Sequence, residues 1–218
     1  MSTQYDRQST AILVVDPYND FLSEGGLLWP RLQEVAQEVG LLDNMRAIHS
    51  AARAADLQIV IVPHHQWEEG SYNGWSHMTD GQRWSDEHRF CAKGTWGGEF
   101  RTEFAPQGKD VVVQQHWGSS GFANTDLNMH LKQRGIRHVI LIGLIANTCI
   151  EATGRYAMEL GYHVTLVRDA TAAHTREMMR AAHELNGPAY AHAILTTKEL
   201  LAALPKERSP QSPAAAAA

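Results

Sequence analysis

Short apolar runs recur along the chain and are separated by longer segments with helical periodicity. The runs are rich in Val and Ile and show little alternation between polar and apolar positions, which is typical of strands covered on both faces. Five runs are clear and the last is weaker: Ala11–Val15, Gln58–Val62, Val111–Val113, His138–Ile142, His163–Val167 and Ala191–Thr196. This pattern predicts about six buried strands.

The segments between these runs repeat apolar residues at helical spacing. Pro30 suits the first turn of a helix, and apolar residues follow it at helical intervals as far as Ala52. Further helices are predicted at Leu127–Arg134, Thr148–Leu160 and Thr175–Leu185. Because strands and helices alternate, we predict the α/β class. The expected fold is a single doubly wound, Rossmann-like parallel sheet of about six strands in the order 3-2-1-4-5-6, flanked by helices.

Two of the runs lead into residues that are suited to chemistry. Asp16 follows the first run directly, and a short loop after the fourth run delivers Cys149 to the start of a predicted helix. The unpaired N–H groups and the dipole of a helix N-terminus favour a thiolate. In a parallel sheet both residues would lie at the carboxyl edge, where ligands bind. The alternatives are a structural Cys149 and an Asp16 that only stabilises a turn.

Residues 63–104 do not fit this alternation. The segment contains several His, Trp and Gly residues but has no clear period. Long connections without regular elements are often functional, and this one leaves the same edge of the sheet as Asp16 and Cys149. We therefore predict that it forms the lid and wall of a pocket. A packed surface excursion with aromatic anchors is the alternative.

The amino-acid composition and net charge indicate which classes of binding partner to expect. The 218 residues are 44% hydrophobic and carry a net charge of −5, so the chain has no basic stripe for nucleic acid or an anionic membrane. Its two cysteines provide no disulfide framework and fit a reducing cytoplasm. We expect a cytoplasmic protein with a small-molecule partner, no nucleic-acid partner and no membrane partner. Residues 205–218, rich in Pro, Ser and Ala, are predicted to be a disordered tail after a domain at 10–204.

Three segments together resemble the isochorismatase-like cysteine hydrolases. They are V-V-D-P-Y-N-D-F at Val14–Phe21 with Gly25–Gly26, G-T-W-G-G-E-F at Gly94–Phe100, and G-L-I-A-N-T-C-I-E-A-T-G-R-Y-A at Gly143–Ala157 with G-Y-H-V-T-L-V-R-D-A at Gly161–Ala170. Each segment is modest alone, but their order and spacing are specific, and the resemblance covers about residues 10–204. It implies a doubly wound parallel sheet, in agreement with the hydrophobic pattern.

The resemblance also implies a catalytic triad of Asp, Lys and Cys. Asp16 matches the aspartate that takes the thiol proton, and Cys149 matches the nucleophile. A cis peptide bond is implied between Ile145 and Ala146. The backbone N–H groups of Ala146 and Cys149 would then stabilise the oxyanion of the tetrahedral intermediate.

The lysine of this triad has no direct counterpart in the chain. The family places it after the third strand, where this sequence reads V-V-V-Q-Q-H-W-G. Matching the W-G dipeptide assigns Gln114 to the position, and we predict Gln114 as the third catalytic residue. Counting from the start of the strand gives Gln115 instead, and counting back from Phe122 gives His116, which could supply the charge if it were turned inward and protonated. Lys93 is the nearby lysine of the wall segment.

Relatives that hydrolyse nicotinamide often bind a metal through a D-x-H pattern after the second strand. This chain reads V-P-H-H-Q-W there, and adjacent His64 and His65 would point in different directions in an extended segment. His77 would be the third ligand of such a site. Because the D-x-H pattern is absent, we predict no metal and no cofactor. The residues expected to bind substrate or the oxyanion are Ala146, Ile145, Tyr18, Phe21, His64, His65, Gln115, His116, Lys93 and Trp96.

Cys149 favours one of the two reaction types that occur in the family that the chain resembles. The family contains amidohydrolases with this cysteine and vinyl-ether hydrolases without it. We therefore predict hydrolysis of a non-peptide C–N bond in a small amide, ureide or carbamoyl compound, through a thioester on Cys149. The alternatives are a hydrolase of an ether or ester bond and a catalytically silent small-molecule-binding protein. The resemblance also implies a homodimer or homotetramer.

Overall fold

The computed structural model of the protein describes residues 5–206, and most of the predicted disordered tail at 205–218 therefore lies outside the described residues. The strands are β1 Thr10–Val15, β2 Gln58–Val62, β3 Val111–Val112, β4 His138–Leu144, β5 His163–Ala172 and β6 Ala193–Leu195. All pair in parallel, in the order β3-β2-β1-β4-β5-β6. The predicted α/β class and the strand order 3-2-1-4-5-6 are confirmed.

Helices cover both faces of the sheet. They are α1 Asn19–Leu22, α2 Trp29–Glu38, α3 Leu41–Ala54, α4 Asp80–His88, α5 Leu127–Gln133, α6 Glu151–Glu159, α7 Arg176–Arg180 and α8 Thr197–Ala203. Short 3-10 turns lie at Trp96–Gly98, Thr102–Phe104 and Gly187–Ala189, and π-type turns at Ala146–Ile150 and Ala181–Asn186. Within residues 5–206, no helix has both the length and the apolar character that crossing a membrane requires.

Alternate residues of β1 pack into opposite halves of the core. Ile12 belongs to the cluster on the α3 side, which includes Met45. Leu13 belongs to the cluster on the α5 side, which includes Leu131. Because both faces of β1 are covered, every position of the strand is buried, and this explains why its sequence is an unbroken apolar run.

Several predicted helices differ from the observed ones. The helical segment after Pro30 forms two helices, α2 and α3, because Gly40 turns the chain with a φ of +69°. The helix predicted at Thr148–Leu160 starts as the π-type turn Ala146–Ile150 and only then continues as α6. The turn between β4 and α6 carries the candidate nucleophile, so this local difference bears directly on the site.

The segment 63–104 contains one regular helix that its lack of a clear period did not predict. This helix, α4, begins with a capping box, in which Thr79 and Gln82 each accept a hydrogen bond from the other's backbone N–H. The T-x-x-Q spacing is the sequence signal that identifies such a helix start. The rest of the segment runs over the carboxyl edge of the sheet as turns.

Candidate active site

Strands β1 and β4 lie side by side and bring two segments of the site together. Val15 is paired with Gly143, and Asp16 follows directly after β1. A Cβ atom at Gly143 would lie 2.2 Å from the Val15 carbonyl oxygen, so only glycine allows the strands to approach here. Beyond Gly143, β4 ends and the π-type turn places Cys149 beside Asp16.

Three titratable side chains meet at this edge of the sheet. One nitrogen, oxygen or sulfur atom of each of Asp16, His116 and Cys149 lies within 4.8 Å of the other two. All three residues are buried, with relative exposures of 0% for Asp16, 1% for His116 and 6% for Cys149. The sequence prediction brought Asp16 and Cys149 together, and the structure adds His116 as the third member.

His116 is held in a form that carries a positive charge. Its Nε2 lies 3.0 Å from Asp16 Oδ1, and its Nδ1 lies 3.1 Å from the Gly118 carbonyl oxygen. A neutral imidazole has only one N–H, so both acceptors are satisfied only by the imidazolium. Burial opposes this charge, but the attraction and hydrogen bond of the Asp16 carboxylate outweigh burial and raise the pKa of His116.

The first-choice assignment of Gln114 to the lysine position is corrected by this geometry. Gln114 is exposed, and its backbone N–H donates to Asp126 Oδ1 at 2.7 Å. Gln115 is half-buried and hydrogen-bonds through its side chain to Gln66. His116, the residue found by counting back from Phe122, is the one that faces the site.

The segment after β3 contains one residue more than the segment of β2 that it pairs with. Ile61 of β2 pairs with Val112, but His64 pairs with His116, so three steps along one chain segment match four along the other. The His116 N–H donates to the Pro63 carbonyl at 3.0 Å and fixes this pairing. The additional residue shifts the inward-facing position from residue 115 to residue 116.

Cys149 is a protonated thiol in the resting site. Burial raises the pKa of the Cys149 thiol, and the negative charge of Asp16 raises it further. The Thr148 hydroxyl, 3.8 Å from Sγ, and the Ile145 backbone N–H act in the opposite direction because they donate towards the sulfur. Asp16 Oδ2 is buried without a hydrogen-bond partner among the described residues, so it is free to accept the thiol proton.

The cis peptide bond lies one residue earlier than predicted. It joins Leu144 to Ile145, and the expected cis bond between Ile145 and Ala146 is wrong. The N–H that is directed at Cys149 Sγ is that of Ile145, whereas the Ala146 side chain is buried in the core. The Ile145 carbonyl accepts from Thr148 and Ile150 at 3.1 Å each, which closes the turn. Ile145, and not Ala146, therefore has the backbone N–H that faces the sulfur.

A cavity of about 560 Å³ opens over Cys149. Its apolar wall is made largely of aromatic rings from the loops and from α4, namely Phe21, Tyr72, Trp84, Phe90 and Trp117. Polar side chains line it as well, namely Arg31, His64, Thr79, Asp80, Gln82, Ser85, Ser119, Thr148 and His174. A cavity that combines apolar walls with directed polar groups is typical of a site for a small molecule.

The two adjacent histidines after β2 have different surroundings. His64 lines the cavity, its Nδ1 lies 2.8 Å from the His65 carbonyl, and burial lowers its pKa. His65 stacks on Trp117 with ring centroids 3.6 Å apart, and burial lowers its pKa to about 4. Both imidazoles are therefore neutral near pH 7. His65 supports the wall through Trp117 and does not itself line the cavity.

Three other predicted members lie away from the cavity. Lys93 is exposed, and its Nζ pairs with Glu68 at 3.0 Å. Trp96 is 50% exposed and packs over Gly25. Tyr18 is buried beneath the site, where its hydroxyl donates to the His64 carbonyl at 2.9 Å. Phe21, which was predicted to bind substrate, does line the cavity, as do Tyr72, Trp84 and Phe90 of the predicted wall segment 63–104.

Sequence reasoning missed other residues that line the cavity, among them Arg31 and Thr148. Arg31 lies in the first turn of α2, where no sequence signal distinguished it. Thr148 precedes the candidate nucleophile Cys149, and its polar side chain was the available signal. Within residues 5–206, the one group of metal-binding side chains close enough to share an ion is the trio of Asp16, His116 and Cys149, and it does not include His64, His65 or His77.

Comparisons with known proteins agree with this architecture. The family model described as the Isochorismatase domain matches residues 10–199. The ureidoacrylate amidohydrolase RutB of Klebsiella pneumoniae subsp. pneumoniae is 33% identical over 189 residues, which cover 78% of this chain and 76% of that protein.

Two solved structures resemble the chain as well. The N-carbamoylsarcosine amidase of Thermoplasma acidophilum is 25% identical with a TM-score of 0.62, and the match covers 87% of this chain and 96% of that one. A cysteine hydrolase of Pseudomonas syringae pv. phaseolicola matches with a TM-score of 0.74 and 24% identity over 92% of this chain and 94% of that one, which shows the shared fold.

Proposed function

Because this chain belongs to the isochorismatase domain family, we propose that it is a cysteine-dependent amidohydrolase. It hydrolyses a non-peptide C–N bond in a small amide, ureide or carbamoyl compound. The observation that carries this proposal is the buried trio of a thiol, a carboxylate and an imidazolium at the cavity. A relative that is a ureidoacrylate amidohydrolase and another that is an N-carbamoylsarcosine amidase support the ureide and carbamoyl classes.

In the first half of the reaction, Cys149 attacks the substrate carbonyl. The thiol proton moves to Asp16 Oδ2, which is otherwise unpartnered, while the sulfur–carbon bond forms. Negative charge develops on the carbonyl oxygen and is stabilised by the backbone N–H groups of Ile145 and Cys149. When the tetrahedral intermediate collapses, the C–N bond breaks, and the leaving amine takes the proton from Asp16. The product is a thioester on Cys149.

In the second half, water releases the acyl group. Asp16 takes a proton from the water, whose oxygen attacks the thioester carbonyl. Collapse of this intermediate breaks the sulfur–carbon bond, and the sulfur recovers the proton from Asp16. The acid product leaves, and the resting thiol is restored. One carboxylate therefore serves as base and acid in both halves.

His116 maintains the charge state that this cycle needs. A buried charge is costly unless an opposite charge is paired with it. The imidazolium, 3.0 Å from Asp16 Oδ1, pairs with the carboxylate and leaves Oδ2 open to the thiol. His116 thus takes the part that the family resemblance assigned to lysine, as a positioning residue that acts through Asp16.

We further infer that the substrate carries a carboxylate. Arg31 is the one Arg or Lys side chain that lines the cavity, within the part of the chain that the structure describes, and its guanidinium lies 4.8 Å from the centroid of the Trp84 ring. A guanidinium held on an aromatic ring presents its N–H groups to an anion in a defined direction.

We also propose a domain arrangement, a cellular location and an assembly. We place the hydrolase domain at residues 10–204, with 63–104 as its pocket wall, in the cytoplasm. Cys91 and Cys149 are both free, which is compatible with a reducing compartment. The assembly is a homodimer or homotetramer. Size-exclusion chromatography with light scattering measures this assembly directly.

A test of the function traps the acyl-enzyme. The purified protein is incubated with a library of amides, ureides and carbamoyl compounds, with and without a carboxylate, and its intact mass is measured. We expect an added acyl mass on wild type and ammonia or amine release, with neither in Cys149→Ser. Release of alcohol from esters or ethers without any amide turnover would assign a different bond type. Binding without turnover of any compound would identify a silent protein.

A further inference from the structure

The buried trio of Asp16, His116 and Cys149 differs from an Asp, Lys and Cys triad in its ability to bind a metal ion. A protonated lysine has no lone pair for a metal, whereas imidazole, thiolate and carboxylate are the three common ligands of zinc. We propose that Asp16, His116 and Cys149 form a binding site for Zn²⁺ or a similar borderline-soft divalent ion, which blocks the enzyme by occupying its nucleophile. The inhibition rests on the proposed function, but the binding does not.

The distances between the three side chains are close to those of a zinc site. Their candidate ligand atoms lie within 4.8 Å of one another. Zinc bonds of about 2.0–2.3 Å in a tetrahedron place ligand atoms roughly 3.3–3.8 Å apart. An inward movement on the order of 1 Å is therefore sufficient, and the Asp16–His116 contact is already shorter than this at 3.0 Å.

The surroundings of the trio direct its lone pairs inward. His116 Nδ1 faces the Gly118 carbonyl oxygen at 3.1 Å, and a hydrogen bond of this kind is what orients the other nitrogen, Nε2, as a metal ligand. Asp16 Oδ2 is fully buried and has no hydrogen-bond partner in the described part of the chain. Cys149 lines the cavity, so an ion can enter from that side and keep a fourth position for water.

The charge balance of the trio also permits the ion. In the resting site the carboxylate, the imidazolium and the thiol sum to zero. When Zn²⁺ binds, it replaces the proton on His116 Nε2 and the proton on Cys149 Sγ, and both protons leave to solvent. The resulting carboxylate, neutral imidazole, thiolate and divalent ion again sum to zero. Binding therefore creates no net buried charge, which is the main obstacle to placing a metal in an apolar interior.

Cobalt provides a direct readout of this site. The protein is treated with a chelator, exchanged into chelator-free buffer and titrated with Co²⁺ while its absorbance is recorded. We expect one equivalent to produce a thiolate-to-cobalt charge-transfer band and the visible bands of a tetrahedral ion, and an equivalent of Zn²⁺ to remove them. Cys149→Ala and His116→Lys should each weaken binding by more than about 100-fold, because they remove a ligand. Cys91→Ala, which removes the other buried cysteine, should leave the spectrum unchanged.

The outcomes separate the metal site from the enzyme activity. An absent charge-transfer band at micromolar Co²⁺ in wild type would overturn the site, as would a spectrum that persists in Cys149→Ala or His116→Lys. Circular dichroism of each variant shows whether it is folded, and Cys149→Ser is a second ligand variant if Cys149→Ala is not. Inhibition of the enzyme by equimolar Zn²⁺, reversed by a chelator, would show that the ion blocks the active site. A cobalt spectrum in a protein without amidohydrolase activity would preserve the site and reject only the proposed function.

Discussion

His116 Nε2 lies 3.0 Å from Asp16 Oδ1, and both side chains are almost completely buried. An ion pair in such surroundings is retained only when each charge is compensated and hydrogen-bonded. Here the Gly118 carbonyl accepts the second N–H of the imidazolium. The positive charge beside the acid–base residue therefore belongs to a group that titrates, and not to a lysine that stays charged throughout the physiological range.

Replacing the nucleophile should abolish turnover. Cys149→Ser or Cys149→Ala removes the sulfur that attacks the carbonyl, and such a loss typically adds several kcal/mol to the barrier. Steady-state amide hydrolysis and size-exclusion chromatography measure activity and assembly. We expect an unchanged assembly. Activity above about 10% of wild type would show that Cys149 is not the nucleophile, and Cys91→Ala serves as the matched cysteine control.

Asp16→Asn should lower kcat without a large effect on substrate binding. The amide has the shape of the carboxylate but cannot take the thiol proton. We expect a loss of at least about 100-fold in kcat, in line with the usual contribution of general acid–base catalysis. Single-turnover kinetics with intact-mass detection would locate the loss in thioester formation. Normal turnover by this variant would leave Asp16 with only a structural role.

The activity should fall at alkaline pH because His116 loses its proton. Its pKa is raised by Asp16, so the charged form persists above the ordinary histidine value and is lost as the pH rises through the raised pKa. The measurement is kcat/KM against pH. His116→Lys should move the alkaline limit upward, since lysine has a pKa near 10.4. His77→Gln, outside the site, should reproduce the wild-type profile; coincident profiles for wild type and His116→Lys would contradict the charge role.

The same ion pair should make folding stability depend on pH. The folded pKa of His116 is above the unfolded value of 6.5, so the contribution to stability is fully present below about pH 6.5. It is lost as the pH rises through the folded pKa. Urea denaturation of wild type and His116→Gln across this range tests the sign. The difference between them should shrink with increasing pH, and a difference that grows would show that His116 is buried in its neutral form.

Arg31→Gln should raise KM for substrates that carry a carboxylate. A hydrogen-bonded charge contact is worth about 1.5–3 kcal/mol, which corresponds to roughly 10–100-fold in affinity. The neutral amide analogue of the same substrate should be affected little. Arg134→Gln is the matched control, because Arg134 lies at the end of α5 and does not line the cavity. Equal effects on both substrates would show that Arg31 stabilises the wall instead of binding the anion.

Chelation should leave the activity of the purified enzyme intact. The proposed steps use a thiol, a carboxylate and backbone N–H groups, and none requires a metal. Prolonged dialysis against a chelator, followed by an assay and elemental analysis, measures this. One tightly bound metal per chain, together with activity that is lost on its removal and restored by its return, would contradict the prediction.

Much of the fold could be predicted from the hydrophobic pattern because every β1 position is buried. A strand that is buried on both faces has an uninterrupted apolar sequence, so the charged Asp16 at its end can be recognised. The same logic located Cys149 after β4. The cation could not be located in this way, because β3 has only two residues, Val111–Val112, and its continuation is held by loop hydrogen bonds. The hydrophobic pattern does not indicate pairing that is made by loop hydrogen bonds.

The backbone N–H that faces the sulfur could not be predicted for a related reason. Ile145 and Ala146 are adjacent and both apolar. The hydrophobic pattern therefore does not indicate which of the two backbone N–H groups points towards Cys149. The π-type turn Ala146–Ile150 decides which N–H is left facing the sulfur. Helix α4, in contrast, had a local signal in its T-x-x-Q start, because a capping box is encoded within four residues.

The extra residue between β3 and His116 determines which side chain lies next to Asp16. If the segments after β2 and β3 continued in the register of Ile61 and Val112, Gln115 would lie beside His64 and would offer only a neutral amide. With the extra residue, a basic side chain takes this position and reaches Asp16. In this part of the fold, a change in segment length therefore determines which side chain reaches the active site.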